Sequence, residues 1–225
     1  MDRNIIVTGG TGNLGRAVIA KFKREGYQVI AVVEPGTEEE LDEADDVYQL
    51  DVTDEDAVAG FAREYQMQYG DLDCLALLVG GFAMGSLEET GLEDLNRMFR
   101  LNFFSAFTMV KSFLPAMKKA NRGCFLFVGA RPALEKEHGT GALAYALSKG
   151  MVIDLAEFTA KSTSDSHLRA HVFVPSIIDT PQNRESMPDA DFTKWVSPAE
   201  IAEAMHYAAN SEALRNMTFK LYGGV

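Results

Sequence analysis

Tyr145 and Lys149 lie four residues apart in Ala144-Tyr145-Ala146-Leu147-Ser148-Lys149-Gly150, a strongly helical stretch. That spacing puts both side chains on one helix face. A free phenol ionises at about pH 10 and is protonated at neutrality. A neighbouring ammonium favours the phenolate and lowers that value, so the pair can give or take a proton near pH 7. Alone the pattern is weak, because any helix can carry it by chance, and an exposed Tyr beside a solvated Lys is then the simpler account. The balance changes with a glycine cluster about 130 residues upstream.

That cluster is Thr8-Gly9-Gly10-Thr11-Gly12-Asn13-Leu14-Gly15, set between a first strand and a first helix. Glycines at Gly9, Gly12 and Gly15 permit a tight turn and let backbone approach a pyrophosphate, whose charge the helix N-terminus stabilises. Thr11, Asn13 and Leu14 complete the loop, with Gly12 as a helix-opening residue and Asn13 as a cap-like side chain. Glu34 ends the second strand, 19 positions beyond Gly15. A carboxylate there accepts hydrogen bonds from both adenosine-ribose hydroxyls of NAD and repels the 2′-phosphate of NADP. Val33 and Pro35 flank it, and Gly12 and Asn13 bring no cation. The expectation is therefore NAD(H) over NADP(H), although Glu34 also begins an acidic surface run. Asp51-Val52, after the third strand, is placed to contact adenine, and Asp51 serves equally well as a helix N-cap.

Short β-branched runs alternate with longer helical stretches. Strands are expected at 5–7, 29–33, 47–50, 72–79, 124–128, 170–174 and 217–222, and helices at 13–25, 54–69, 92–119, 142–162 and 198–210. This β-α alternation predicts a doubly wound parallel sheet of about seven strands, a Rossmann fold with helices on both faces. Crossovers should be right-handed. Residues 1–225 read as one domain. The connection over about 175–197 holds Pro175, Pro181 and Pro188, so it is not one continuous helix. Loops of that length are usually functional lids or disordered.

Acidic residues number 33 against 21 basic, for a net charge of −12. This opposes nucleic-acid or anionic-membrane partners, which need basic surface. Eight of the acidic side chains, and no basic one, fall in 34–46, directly after the strand that ends at Glu34. Cys74 and Cys124 sit in apolar runs and read as buried thiols, not a disulfide framework. The start, Met1-Asp2-Arg3-Asn4, carries no signal-peptide pattern, and no run is long enough to span a membrane, so a cytoplasmic protein is expected. His138, His167, His171 and His206 form no metal pattern. His167 and His171 are four apart, but His171 begins a strand, which breaks a shared helical face.

Taken together, the glycine loop, Tyr145-x-x-x-Lys149 and Asn102 in Arg100-Leu101-Asn102-Phe103-Phe104 resemble the short-chain dehydrogenase/reductase family over essentially the whole chain. The resemblance implies that Tyr145 is the proton donor, that Lys149 binds the nicotinamide ribose and tunes Tyr145, and that Asn102 helps hold a water-based proton relay. It places Gly80 and Gly81 among the cofactor-binding residues, and the segment with Pro175, Ile178 and Thr180 beside the nicotinamide. Read without it, Asn102 is an ordinary polar helix residue and Pro175 loop punctuation. Family members commonly dimerise through the helices over 92–119 and 142–162, so a homodimer or homotetramer is implied.

Two departures matter. The family's Asn-Asn-Ala-Gly is here Leu77-Leu78-Val79-Gly80, and its catalytic Ser is replaced in Phe127-Val128-Gly129-Ala130-Arg131 by Ala130, leaving Thr140 as the nearest hydroxyl. One branch, which reduces quinonoid dihydropterins, also has Ala there. Asp179-Thr180-Pro181 through Trp195, Gly80 through Gly85 and Gly129 through Leu134 are similar to that branch. Phe82 and Trp195 then offer flat apolar surface for a pterin, or simply close loops over core. The resemblance thus implies an NADH-dependent reductase. A short-chain oxidoreductase of another carbonyl, and a non-catalytic NAD-binding sensor, stand as alternatives.

Overall fold

The computed structural model describes residues 3–224. The amino-terminal reading rests partly on Met1 and Asp2, which lie outside the described residues. Seven strands form one all-parallel sheet: β1 (Asn4–Thr8), β2 (Gln28–Val33), β3 (Asp46–Gln49), β4 (Cys74–Leu77), β5 (Gly123–Val128), β6 (Leu168–Pro175) and β7 (Thr218–Leu221). Their order is β3-β2-β1-β4-β5-β6-β7. Strands β1, β4 and β5 are buried throughout, which is why their sequences are unbroken apolar runs rather than alternations.

The helices are α1 (Asn13–Arg24), α2 (Glu55–Tyr69), α3 (Leu92–Met98), α4 (Ser105–Ala120), α5 (Arg131–Leu134), α6 (Leu143–Ser162), α7 (Pro181–Ser186) and α8 (Pro198–Asn210). One sheet face packs on α2, α4 and α6 through Phe61, Tyr65, Met109, Phe113, Val152 and Ala156. The other packs on α1 and α8 through Val18, Ile19, Phe22, Ile201 and Met205. Free Cys74 and Cys124 are buried in this second layer, as expected. No helix among the described residues is long and apolar enough to cross a membrane.

Three expectations need correction. Strand β4 is shorter than the apolar run 72–79. Asn4 and Asp73 exchange side chain–backbone hydrogen bonds of 3.0 and 3.1 Å at its start. At its end the Leu78 amide donates to Thr8 Oγ1 at 3.0 Å instead of continuing the ladder. The stretch 92–119 is not one regular helix: a π-helical turn over Phe99–Phe104 separates α3 from α4. Such turns insert a residue into the helix and favour functional sites. His171 lies in the middle of β6, wholly buried, with Nδ1 accepting from the Met217 amide at 3.1 Å. His167 precedes that strand and is exposed, so the two rings share no face.

Candidate active site

Strand β1 pairs with β2 on one side and β4 on the other. This is where strand order reverses, and ligands of open parallel sheets bind outside the carboxyl ends there. The glycine loop leaves β1 at this point. Gly9 has φ +67°, and a Cβ on it would lie 3.2 Å from the Val79 amide nitrogen. A Cβ on Gly15 would lie 2.2 Å from the Gly9 carbonyl oxygen, so only glycine lets α1 begin against the loop. Gly12 is the N-cap of α1, with no side-chain cap bond. Asn13 is therefore inside the helix and not its cap; its Nδ2 donates across to Gln182 Oε1 on α7 at 2.8 Å. Leu14 packs against the α1–α8 core layer.

Glu34 is exposed at the end of β2. Asp51 accepts from the Thr53 amide and hydroxyl at 2.8 and 2.7 Å. Those bonds hold its carboxyl below the usual range, with a smaller share from Arg100. The α2 N-cap is Asp54, which accepts from the Asp56 and Ala57 amides, so the capping alternative for Asp51 does not hold. Val52 is buried.

Asn102 sits on the π turn, 1% exposed. Its Oδ1 accepts from the Gly81 amide at 2.8 Å, and its Nδ2 donates to Ser148 Oγ at 2.8 Å and to the Gly81 carbonyl at 3.2 Å. The Ser148 hydroxyl in turn donates to the Tyr145 carbonyl at 2.8 Å. A methyl on Gly80 would stand 2.7 Å from Asn102 Oδ1 and 3.0 Å from Lys149 Nζ. The two polar heads and the backbone after β4 thus converge on one spot. Lys149 is buried and donates to the Val128 carbonyl at 3.0 Å. Tyr145 meets the exposed Phe82 ring edge-on, with centroids 5.0 Å apart.

Sequence spacing predicts that Lys149 lowers the Tyr145 pKa. The structure reverses this: burial pushes Tyr145 up to about 12 and Lys149 down to about 8. Desolvation disfavours both charged forms and is the cause of each shift. At neutral pH the phenol is therefore a hydrogen-bond and proton donor.

The connection after β6 closes on itself through a bridge between Ile178 and Val196. Pro175 is the last residue of β6 and is buried. Thr180 caps α7 by accepting from the Asn183 amide at 3.2 Å. Trp195 does not offer free surface: it is 7% exposed and lies on Phe192 at 4.8 Å between centroids. At the family's Ser position Ala130 is buried, and Thr140 is exposed in a turn. His138 lies with Glu135 and Glu137, but Glu135 is already engaged by Arg131 and Lys220.

Sequence reasoning missed three side chains that contact the predicted residues. Ser148 is visible in hindsight as a hydroxyl three residues after Tyr145. Gln182 and Arg16 carried no signal, because their contacts cross from α7 and from the 35–44 segment.

The short chain dehydrogenase family model matches residues 3–191. The chain belongs to that family. It is 28% identical to a dihydropteridine reductase of Dictyostelium discoideum, over 95% of this chain and 90% of that one. It is 25% identical to a 3-oxoacyl-[acyl-carrier-protein] reductase of Thermotoga maritima, over 92% and 90%. Among solved structures, ElxO with NADP bound superposes with a TM-score of 0.89 at 22% identity, covering all of this chain and 98% of the other. The ligand-free aldohexose dehydrogenase of Thermoplasma acidophilum gives 0.83 at 24%, covering 99% and 93%. These two likenesses concern the fold.

Proposed function

We propose that this chain is an NADH-dependent reductase of the quinonoid dihydropteridine reductase type. The observation that carries the reading is the convergence of Lys149 and Asn102 at Gly80, one helical turn from Tyr145, together with a buried Ala130 where a hydroxyl would stand. A Ser hydroxyl serves reactions that build a localised oxyanion. Reduction of a conjugated imine builds none, so its loss is tolerated. The similarity to the Dictyostelium enzyme supports the same class.

The residues present fit a nicotinamide cofactor. The Gly9–Gly15 cradle has no room for Cβ atoms at Gly15, and buried Lys149 has one hydrogen-bond partner among the described residues for its three donors. The cofactor, when bound, supplies hydride. Gly9, Thr11, Gly12, Asn13, Leu14 and Gly15 hold the pyrophosphate, Glu34 accepts the adenosine-ribose hydroxyls, and Asp51 and Val52 flank adenine. Gly80, Gly81, Pro175, Ile178 and Thr180 border the nicotinamide. Lys149 spends its free N–H groups on the ribose. Tyr145 gives its phenolic proton to the substrate nitrogen, and Asn102 orders the relay behind Lys149.

Oxidation of NADH by a quinonoid dihydropterin tests this. Tyr145→Phe should lower kcat by about 10²–10⁴ while NADH still binds, and a variant that keeps wild-type turnover removes Tyr145 from the role. No turnover of the pterin alongside good turnover of a ketone would favour a second reading, a reductase of another small carbonyl. The Thermotoga relative and the exposed apolar rim of Phe82, Met84 and Leu87 support that reading. Buried free thiols fit a reducing, cytoplasmic setting.

A further inference from the structure

Arg16 supplies the cation that the glycine loop itself lacks. It stands one turn into α1, and its Nε donates to the Thr11 carbonyl at 3.2 Å. Its guanidinium also pairs with the Glu39 carboxylate and reaches the Glu40 carbonyl at 3.5 Å. The segment that brings Glu39 there is built, not loose. The Gly36 amide donates to Gln49 Oε1 and Gln49 Nε2 donates to the Thr37 carbonyl, both at 2.8 Å. Leu41 is buried, with Cδ1 3.1 Å from where a Cβ on Gly10 would stand. Glu39 is thereby held at Arg16, beside the glycine loop, in the segment that follows Glu34.

A guanidinium beside the adenosine ribose is a ready partner for a 2′-phosphate, which it can grip with two parallel N–H bonds. Here a carboxylate oxygen of Glu39 already holds Nη2 of that guanidinium, while Nε and Nη1 are on the Thr11 and Glu40 carbonyls. We propose that Glu39 is a tethered competitor for the 2′-phosphate of NADP(H): it occupies Arg16 and so sets nicotinamide selectivity, while Glu34 serves the hydroxyls of NAD(H). This rests on the NADH reading above. The Arg16 and Glu39 side chains are 44% and 64% exposed, so the competition is mild. An exposed pair of this kind shifts an equilibrium by about fivefold at most, and less at high salt.

The test is calorimetric titration of NADH and NADPH, without substrate, into wild type, Glu39→Gln, Glu38→Gln and the double variant Glu39→Gln/Arg16→Ala. Glu39→Gln should tighten NADPH binding about fivefold at low salt and leave NADH within about twofold. The double variant should lose the gain. Glu38→Gln removes the same charge one residue away and should do much less. If Glu39→Gln leaves the NADPH-to-NADH ratio unchanged, if the gain survives loss of Arg16, or if Glu38→Gln matches it, the competitor role is wrong. A wild-type preference for NADPH would instead overturn the NADH reading, and the Arg16 dependence of the Glu39→Gln effect would still decide this one.

Discussion

At the scale of single residues, the site is held together by groups made costly by their own burial. Burial pushes Lys149 down from an ordinary 10.5 to about 8. The unfolded chain therefore binds more protons than the fold between those two values. Stability from this group is full above pH 10.5, falls as pH drops from there, and is lost once pH has fallen through about 8. Lys149→Met should accordingly raise stability at pH 7 by about 1–3 kcal/mol, and denaturant titrations at pH 7 and 9.5 should show the gap narrowing at the higher pH. A Met variant less stable than wild type at pH 7 would show that the ammonium is better satisfied than its bond to Val128 suggests. Ser148 accepts from Asn102. Ser148→Ala leaves Nδ2 without its 2.8 Å acceptor, and should lower kcat about tenfold with little change in NADH affinity; equal losses in both would assign Ser148 a general structural role.

At the scale of elements, two junctions place those residues. The π turn between α3 and α4 carries Asn102 to Gly81 and Ser148. Helix α7 is latched to the first turn of α1 by the Asn13–Gln182 bond, and Arg184 is locked to Asp179 by two bonds of 2.6 and 2.7 Å. Breaking the exposed latch with Gln182→Ala should cost about 1 kcal/mol or less of local stability. Amide exchange in 181–186 should rise while exchange in β1 and β4 stays unchanged, and unchanged exchange in α7 would mean that the Ile178–Val196 bridge suffices to hold it. At the opposite end of the sheet, Arg169 donates to the Ala208, Ala209 and Ser211 carbonyls. It satisfies carbonyls that the end of α8 leaves unpaired, which gives structural work to a cation in an acidic protein.

At the scale of the whole molecule, the π turn leaves Phe104 exposed, α4 Phe107, and α6 Leu147 and Phe158, the last by 74%. Large apolar side chains grouped on one face mark contact surfaces more often than scattered ones do. We propose that a second copy covers them. Phe158→Glu with Leu147→Glu should convert the assembly to monomer by light scattering, with the helical circular-dichroism signal retained; a wild-type monomer at micromolar concentration would sink the idea. The charge pattern belongs to this scale as well. Eight acidic residues over 34–46 account for most of the −12, and Glu39 shows that at least one of them is engaged by Arg16.

Element types and the parallel, doubly wound class were written into periodicity, because strands buried on both faces must be apolar throughout and helices must repeat every three to four residues. The glycine loop and the Tyr145–Lys149 spacing were legible for a similar reason: each is a local geometric demand met within a few neighbouring residues. What the sequence did not determine depends on desolvation and on contacts between distant segments. Burial, which only packing creates, turned the expected fall in the Tyr145 pKa into a rise. The π turn, the Asn102–Ser148 bond, the burial of Trp195 and the Arg16–Glu39 pair join residues by the paths of different elements, and no local pattern encodes where those paths meet.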